Sequence, residues 1–263
     1  MKYVLVTGAY GGMGKKTVEA LEKNGFFVFA LDKKAGEPSE NVVPIEADVT
    51  DHESVVRAYE KVRETTDSLF AIIHFAGIYT LDSLVEMPKD EFMRTFGVNL
   101  FGAFDVNETF LPLLKNGSRM IITTSELATR DPLPFTGVYA VTKGALDKYA
   151  YSLKMELQLL GVSVSVLRAG AVDTDMLGAS TAALDRFCEK TEIYSCNAKR
   201  FRDIVDRVEA RRVPPEKIAG KVVKIVGKKS PRFDYSINRN PLLILFDILP
   251  KKLRFFIIRK ILK

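Results

Sequence analysis

The sequence of 263 residues predicts a single α/β domain built on a doubly wound parallel sheet. Short apolar segments alternate with longer amphipathic segments over most of the chain, as expected for buried parallel strands covered by helices on both faces. Hydrophobic residues make up 47% and charged residues 27%, an ordinary globular balance that excludes a disordered chain. No linker or internal repeat divides the sequence, so we expect one domain over residues 1–263.

The expected elements follow from local patterns. Runs rich in Val, Ile, Leu and Phe predict strands over 3–7, 26–31, 42–45, 69–75, 119–124, 162–167 and 233–237. Amphipathic periodicity predicts helices over 15–24, 51–66, 88–114, 137–160 and 215–226. Gly25 and Gly161 are typical stop signals for the helices that precede them.

The alternation of strands and helices stops over residues 175–213, where the charge density rises. An insertion of this length predicts a helical substrate lid over a site. We expect its apolar residues to close an apolar pocket; these are Met176, Leu177, Leu184, Phe187, Ile193, Tyr194 and Phe201.

The net charge of +6 is concentrated in the last 22 residues. Residues 242–263 contain six basic residues and one acidic residue, which leaves the first 241 residues with a balance of only +1. A nearly neutral body is a poor match for the phosphate backbone of a nucleic acid, so we expect no nucleic-acid partner.

The C-terminal segment 242–263 is apolar as well as basic, and it predicts an amphipathic tail. On a helix, the residues after Pro250 separate incompletely: Leu253, Ile257, Ile258, Ile261 and Leu262 lie on one side, and Lys252, Arg259, Lys260 and Lys263 cluster opposite. Arg254 and Phe256 are exceptions to this separation. Two interpretations remain open. The segment lies on an anionic membrane surface as a peripheral contact, or its apolar side packs on the domain or on a neighbouring subunit.

Cysteine and histidine usage argues against a metal site. The spacing of Cys188 and Cys196 fits no usual zinc pattern, and the two histidines, His52 and His74, cannot supply a ligand cluster. Two thiols in a chain of this length indicate a reducing compartment, and the residues after Met1 show no signal-peptide pattern. We therefore expect a cytoplasmic protein without a metal ion.

The first strand runs into a glycine-rich turn, TGAYGGMG, which precedes a helix. Such a turn lets backbone N–H groups approach a pyrophosphate at the helix N-terminus. We expect its residues to bind a dinucleotide, namely Gly8, Tyr10, Gly12, Met13 and Gly14. The alternative is a turn without a ligand.

Asp32 ends the second strand, 18 residues after Gly14. An acid at this position accepts hydrogen bonds from the adenosine ribose hydroxyls and repels a 2′-phosphate, which favours NAD over NADP. Lys33 and Lys34 follow directly and leave NADP open, because they are able to neutralise a phosphate. Asp48, after the third strand, is expected either to contact adenine or to cap the next helix.

Tyr139 and Lys143 are spaced four residues apart on the long helix and therefore share one face. A nearby cation favours the phenolate, so we expect the pKa of Tyr139 to fall and the tyrosine to act as a general acid or base. Taken alone, this spacing is common on helices, and a solvated pair is the usual explanation.

The order of motifs resembles that of the short-chain dehydrogenase/reductase family in its shorter branch, which has a Rossmann fold. TGAYGGMG is followed by HFAG, VNLFGAF, ITTSE, YAVTK and LRAGAVDT, over residues 2–177. The resemblance implies a catalytic set of Asn99, Ser125, Tyr139 and Lys143. Tyr139 would exchange a proton with the substrate oxygen, which Ser125 holds, while Lys143 binds the nicotinamide ribose and Asn99 extends a proton relay. The same resemblance implies further cofactor contacts at Asp48, Val49, Ala76, Gly77, Gly170, Val172 and Thr174.

Three departures from the family pattern bear on the site. The usual Asn-Asn-Ala-Gly is His74-Phe75-Ala76-Gly77, and we expect His74 to be a core residue satisfied by backbone. The usual Pro-Gly is Ala169-Gly170. The serine-to-tyrosine spacing of 14 is one more than usual, so the loop after Ser125 must absorb an extra residue. Glu126 and Thr124 are the alternatives to Ser125, which we prefer because a carboxylate would repel an alkoxide.

The resemblance implies an NAD(P)-dependent oxidoreductase that transfers a hydride between nicotinamide and an alcohol or ketone. Members that prefer NADP often carry a basic residue within the glycine turn, where this chain has Tyr10 and Gly11, so the resemblance also favours NAD. The sequence around residues 133–135 and the ending over 241–262 are most similar to members that act on lipophilic alcohols, so we expect an apolar secondary alcohol or ketone. The resemblance also implies a homodimer or homotetramer formed through the helices that carry Asn99 and Tyr139. The alternative from another class is a non-catalytic dinucleotide-binding sensor or scaffold.

Overall fold

The computed structural model describes residues 1–208 and 212–263, with backbone only for 175–181 and 206–208. Seven parallel strands form one sheet in the order β3-β2-β1-β4-β5-β6-β7. The strands are β1 Lys2–Thr7, β2 Phe26–Asp32, β3 Val42–Glu46, β4 Leu69–His74, β5 Leu114–Ser125, β6 Ser163–Ala169 and β7 Asp234–Ile237. The predicted doubly wound parallel sheet is confirmed.

Ten α-helices occur in the described residues and cover both faces of the sheet or follow it in sequence. They are α1 Gly12–Lys23, α2 His52–Arg63, α3 Lys89–Phe96, α4 Gly102–Phe110, α5 Gly137–Leu157, α6 Asp175–Lys190, α7 Ser195–Val208, α8 Pro215–Gly227, α9 Pro241–Ile248 and α10 Lys251–Leu262. Among these residues, no helix combines the length and apolar character that crossing a bilayer requires.

The core consists of one apolar layer on each face of the sheet. Alternate residues of β1 supply opposite layers: Leu5 packs with α2, α4 and α5, whereas Val4 and Val6 pack with α1 and α8. Because both faces are covered, the strands are apolar throughout rather than alternating. The strand order reverses between β1 and β4, so the loops after these two strands diverge and leave a crevice.

Several element boundaries differ from the predicted ones. The first helix begins at Gly12 rather than residue 15, because the glycine turn passes directly into helical backbone. Strand β5 begins at Leu114 rather than residue 119, with a register shift against β4. The predicted helix over 88–114 is two α-helices joined by a π-helical turn over Gly97–Phe101 and followed by a 3₁₀ turn over Leu111–Leu113.

The predicted lid and tail pack against each other. Leu184, Phe187 and Phe201 of α6 and α7 form a third apolar cluster with Leu262 of α10, and Ile258 packs against it. The apolar side predicted for the tail is therefore divided, because Leu253 and Ile261 stay exposed. The side chains of Met176 and Leu177 and residues 209–211 of the predicted lid lie outside the described residues.

Candidate active site

The glycine-rich turn after β1 is formed by close backbone approaches. Gly8 has a φ of +63°, and a Cβ on Gly14 would lie 2.0 Å from the Gly8 carbonyl oxygen, so only glycine fits either position. Gly12 begins α1, and a Cβ there would meet Thr174 at 2.6 Å. The first turn of α1 contains no acidic residue, which leaves its positive end suited to an anion.

Asp32 lies at the end of β2 beside this turn. Its carboxylate accepts hydrogen bonds from the backbone N–H groups of Tyr10 at 2.9 Å and Lys33 at 2.8 Å. The first of these bonds links the end of β2 to the glycine turn, where a ribose next to a bound pyrophosphate would lie.

Asp48 and Val49 have internal partners. The Asp48 carboxylate pairs with Lys33 at 2.7 Å and accepts two bonds from Thr50. Partial burial raises the pKa of Asp48, but the hydrogen bonds to its carboxylate together have the larger effect, so the pKa is lowered. Helix α2 is capped by Asp51, so the alternative of a cap at Asp48 is wrong. Val49 is buried, and its side chain lies where a Cβ on Gly102 would be.

Tyr139 is buried in the first turn of α5, and its hydroxyl lies beside the Ser125 hydroxyl. Burial raises the pKa of Tyr139 to about 12, and the Ser125 hydroxyl only partly offsets this effect. The predicted lowering of the Tyr139 pKa is therefore wrong for the protein alone, because the desolvation of the phenolate is the dominant effect. At neutral pH the tyrosine holds its proton and is ready to donate it.

Lys143 lies one turn after Tyr139, with its Nζ atom 5.9 Å from the centre of the tyrosine ring. The ammonium donates a hydrogen bond to the Thr123 carbonyl at 3.3 Å. Burial lowers the pKa of Lys143 to about 8, so the group stays mostly charged at pH 7. The pair predicted from i, i+4 spacing is thus a buried pair and not a solvated one.

Asn99 lies in the π-helical turn Gly97–Phe101, which adds one residue to a helical turn. Its Oδ1 atom accepts from the Ile78 N–H at 2.8 Å, and its Nδ2 group donates to the Ile78 carbonyl and the Thr142 hydroxyl. A Cβ on Gly77 would lie 3.2 Å from Lys143 Nζ and 3.3 Å from Asn99 Oδ1. Gly77 therefore leaves open space between these two groups.

His74 is buried at the end of β4 and is satisfied by side chains rather than by backbone. Its Nε2 atom lies 2.7 Å from Asn107 Oδ1, and its Nδ1 atom lies 3.5 Å from the Thr7 hydroxyl. Burial lowers the pKa of His74 to about 4, so the ring is neutral at physiological pH. Its contacts tie β4 to β1 and α4, which supports the Ala76–Gly77 loop without reaching the cavity.

The remaining predicted cofactor residues lie on two neighbouring loops. Ala76, after β4, donates its N–H to the Thr7 hydroxyl and lies against Gly8. Gly170 follows β6, where a Cβ would clash with the Asn238 carbonyl at 2.0 Å. Val172 pairs with Val213, and Thr174 lies against Gly12. The loops thus meet the glycine turn at the carboxyl edge of the sheet.

The loop after Ser125 absorbs the extra residue through a 3₁₀ turn, Glu126–Thr129, and a positive φ of 64° at Phe135. Phe135 keeps this strained backbone while its ring packs on Phe187, Tyr194 and Phe201. The two alternatives to Ser125 have other partners. The Thr124 hydroxyl donates to Asp147, and the Glu126 carboxylate accepts from the Asn240 N–H at 2.8 Å.

A cavity of about 700 Å³ has Ser125 and Tyr139 in its wall. Its other walls are mostly apolar and come from three distant parts of the sequence: the loop after Ser125, the lid and the tail. They include Leu133, Phe201, Leu243, Phe246, Ile257 and Ile261. The cavity suits an apolar molecule that presents one oxygen to Tyr139.

Sequence reasoning missed two contributors to this cavity. The Tyr79 ring lies 4.8 Å from the Tyr139 ring, centre to centre, and lines the cavity. Leu242, Leu243 and Phe246 of α9 also line it, although the tail was expected to pack on protein or on a membrane. No periodic pattern in the sequence points to Tyr79. The apolar run over α9, by contrast, indicates in the sequence that part of this segment is covered.

Comparisons with known proteins identify the family. The family model described as short chain dehydrogenase matches residues 2–185. Estradiol 17-beta-dehydrogenase 2 of Mus musculus is 34% identical over 190 residues, covering 68% of this chain and 50% of that protein. The 3-ketodihydrosphingosine reductase of Bacteroides thetaiotaomicron is 26% identical over 234 residues, covering 88% of this chain and 85% of that protein.

A solved structure extends the likeness over the whole chain. A short chain dehydrogenase from Burkholderia cenocepacia J2315, in complex with NADP, has a TM-score of 0.75 at 21% identity and covers 100% of both chains. At this identity the likeness bears on the fold alone. The match to the mouse enzyme spans about half of that protein's length. The family model covers more than half of this chain, and the chain therefore belongs to the short-chain dehydrogenase family.

Proposed function

We propose that the protein is an NAD-dependent oxidoreductase that interconverts a lipophilic secondary alcohol and its ketone. The observation that carries this proposal is the position of Tyr139, which lies beside Ser125 in the wall of a mostly apolar cavity. The family membership and the names of its relatives, a dehydrogenase and a reductase, support the same reaction class.

The residues around the crevice between β1 and β4 fit a nicotinamide dinucleotide. The glycine turn and the N-terminus of α1 would hold the pyrophosphate, and Asp32 would accept from the adenosine ribose. Gly77 leaves space beside Lys143 and Asn99 that a side chain would fill, which fits the nicotinamide ribose. Gly170 and Thr174 border the same region. When bound, the dinucleotide supplies or accepts the hydride.

The charges near Asp32 support NAD over NADP. A 2′-phosphate would approach the Asp32 carboxylate, and the adjacent cation, Lys33, is already paired with Asp48 at 2.7 Å. Repulsion by Asp32 therefore outweighs attraction by Lys33. Use of NADP remains the alternative, as in the Burkholderia cenocepacia complex.

Tyr139 would exchange the proton with the substrate oxygen. Its raised pKa keeps the hydroxyl protonated, which is the form that carbonyl reduction requires at neutral pH. Ser125 would hold the same oxygen, because its hydroxyl lies beside that of Tyr139. Lys143 would orient the ribose and, as an ammonium, favour the phenolate once the proton has left. Asn99 would continue the relay between Lys143 and solvent.

The substrate class follows from the cavity. Apart from Ser125 and Tyr139, its walls offer mostly hydrocarbon, which rewards a lipophilic molecule with one reacting oxygen. The relatives named for estradiol and for 3-ketodihydrosphingosine act on molecules of this kind.

We propose a homodimer or homotetramer formed through α4 and α5. These helices and the π-helical turn expose several large apolar side chains, as expected for a surface that a second copy covers. They are Phe101, Phe104, Val141, Tyr151 and Met155.

A turnover screen tests the proposed function. The purified protein is assayed with NAD and NADP in parallel, against steroid, retinoid and long-chain secondary alcohols and ketones, and against sugars and small polar alcohols. We expect turnover of lipophilic substrates with NAD. Turnover of polar compounds alone would contradict the substrate class. Inertness across the panel, with dinucleotide binding retained, would favour a sensor or scaffold.

A further inference from the structure

Helix α9 presents an outward face without any charge. Leu242, Leu245 and Ile248 follow one another at a spacing of three residues and are 60%, 62% and 74% exposed. The only charged residue of α9, Asp247, pairs instead with Arg130, whose side chain is buried. The side of α9 that faces the protein is thus fixed by an ion pair, and its apolar side is left facing outward.

Helix α10 follows after two residues and presents a basic outward face. Lys252, Phe256 and Lys260 are spaced four residues apart, and all are exposed. Arg259 and Lys263 are exposed beside them. Phe256, 59% exposed, therefore lies among four cations, while Leu262 holds the opposite side of the helix on the lid.

The cavity opens at this same surface. Leu242 of α9 and Ile261 of α10 both line the cavity, yet they are 60% and 48% exposed. Leu242 shares the exposed face of α9 with Leu245 and Ile248, which do not line the cavity, so Leu242 forms part of the cavity rim. The apolar side chains of α9 therefore continue from the outside of the molecule into the cavity that contains Tyr139.

We propose that α9 and α10 dock on an anionic lipid bilayer, with the apolar face of α9 and Phe256 in the acyl boundary and the basic side chains at the headgroups. Apolar residues combined with Lys and Arg are the composition of interfacial helices, whose apolar side enters by roughly 5–10 Å. Long Lys and Arg side chains reach the headgroups while their stems stay apolar. The cavity rim would then meet the hydrocarbon, where a lipophilic substrate concentrates.

Charge favours a bilayer over a second copy of the chain. The segment 242–263 carries a net charge of +5, so an isologous contact between two such faces would bring like charges together. An anionic surface attracts each of these cations instead. Substrate entry through the rim rests on the proposed function, whereas the docking does not.

Vesicle co-sedimentation tests the docking with the full chain. The vesicles are pure phosphatidylcholine, or phosphatidylcholine mixed with phosphatidylglycerol. We expect sedimentation with the mixed vesicles that weakens in high salt. The double variant Leu245→Ser/Ile248→Ser should reduce binding by roughly tenfold or more, since it removes two apolar side chains that would enter the bilayer. Lys252→Glu/Lys260→Glu should reduce binding to the anionic vesicles by a similar factor.

Two matched variants control for general effects. Leu159→Ser changes a leucine that is 83% exposed and does not line the cavity, and Lys228→Glu/Lys229→Glu makes the same change in net charge at another exposed site. Both should bind vesicles like the wild type. Absence of wild-type sedimentation, or equal loss in the controls, would overturn the docking. So would light scattering showing that Leu245→Ser/Ile248→Ser dissociates a dimer.

An activity assay separates this proposal from the proposed function. Leu245 and Ile248 do not line the cavity, so their double variant should turn over a water-soluble ketone at the wild-type rate. On a substrate dissolved in the mixed vesicles, its turnover should fall in step with binding. A protein that is active in solution but never sediments would contradict the docking alone, and one that sediments but is inert would contradict the oxidoreductase alone.

Discussion

The buried ammonium of Lys143 lowers the stability of the fold, although the proposed function requires it. Its ammonium is buried and donates one hydrogen bond, to the Thr123 carbonyl, so the folded protein holds a charge at a cost. That cost appears as a pKa lowered by burial from 10.5 to about 8. A buried group with a perturbed pKa beside a cavity is typical of a functional site.

Replacing this lysine should stabilise the fold. We expect Lys143→Met to raise the free energy of unfolding at pH 7 by up to about 3 kcal/mol, since one pKa unit corresponds to ~1.4 kcal/mol. Between pH 8 and 10.5 the unfolded lysine keeps a proton that the folded one has lost, so wild-type stability rises with pH and the difference shrinks. Denaturant unfolding at pH 7 and at pH 10 measures it.

The matched control is Lys148→Met, which changes an exposed lysine on the same helix. It should alter the free energy of unfolding by at most a few tenths of a kcal/mol at either pH. A destabilised Lys143→Met protein at pH 7 would show that the ammonium contributes more to the fold than its burial costs.

At the residue scale, the sequence predicts side chains that carry chemistry at fixed spacing. Tyr139 and Lys143 share a helical face, and Asp32 ends the strand after a glycine turn, as expected from geometry along one segment. The resemblance supplied Ser125 and Asn99. Tyr79 was not predicted, because its ring reaches Tyr139 only through the path of a loop. The direction in which the pKa of Tyr139 shifts depends on the burial of its side chain, which the spacing of residues in the sequence does not show.

At the scale of elements, an ionic cluster fastens the tail to the loop that follows Ser125. The buried side chain of Arg130 pairs with Asp247 of α9 and lies 4.0 Å from the Glu126 carboxylate. Arg254 of α10 lies 3.1 Å from Asp131 and 3.9 Å from Asp247. Asp247 is therefore shared by both arginines, and α9 cannot move away without leaving Arg130 with only the more distant Glu126 carboxylate.

Removing this shared carboxylate should loosen the tail. We expect Asp247→Asn to destabilise the packing of α9 and α10 by about 1–2 kcal/mol, because a buried guanidinium loses its charged partner. Hydrogen exchange should quicken in 241–262, and KM for a lipophilic substrate should rise, with kcat for a small ketone unchanged.

Asp185→Asn is the matched control, since its partner Arg202 is 37% exposed and an exposed pair contributes little. Exchange in 241–262 should stay at the wild-type rate in this variant. Unchanged exchange in Asp247→Asn as well would show that apolar packing alone holds the tail.

Elements were predictable where one pattern dominated. The strands follow from their continuous apolar runs, and the helix predicted over 137–160 is observed as Gly137–Leu157 followed by a 3₁₀ turn. The π-helical turn did not, because an added residue in a helical turn leaves no periodic trace, and yet it positions Asn99. In the tail, the amphipathic pattern after Pro250 predicted α10, whereas α9, which ends at Ile248, was not predicted as a separate helix.

At the scale of the whole molecule, the body and the tail contribute different parts of the proposed site. The nearly neutral body contains the crevice for a dinucleotide, and the basic tail contributes to the wall of the cavity and to its rim. An apolar pocket closed by the lid was predicted, and Phe201 of the lid lines the cavity, but the meeting of Leu133 and Phe246 there was not predicted, because these residues lie far apart in the chain. The fold class was within reach, since buried parallel strands have a distinct composition.

The most direct test of the account is the single substitution Tyr139→Phe, which removes the hydroxyl and keeps the ring. We predict that kcat/KM for the best substrate of the screen falls by roughly 10²–10⁴-fold, the usual contribution of a general acid or base. The affinity for NAD, measured by calorimetry, should stay within roughly twofold, because Asp32 and the glycine turn are untouched. Turnover near the wild-type rate, with NAD still bound, would contradict the account.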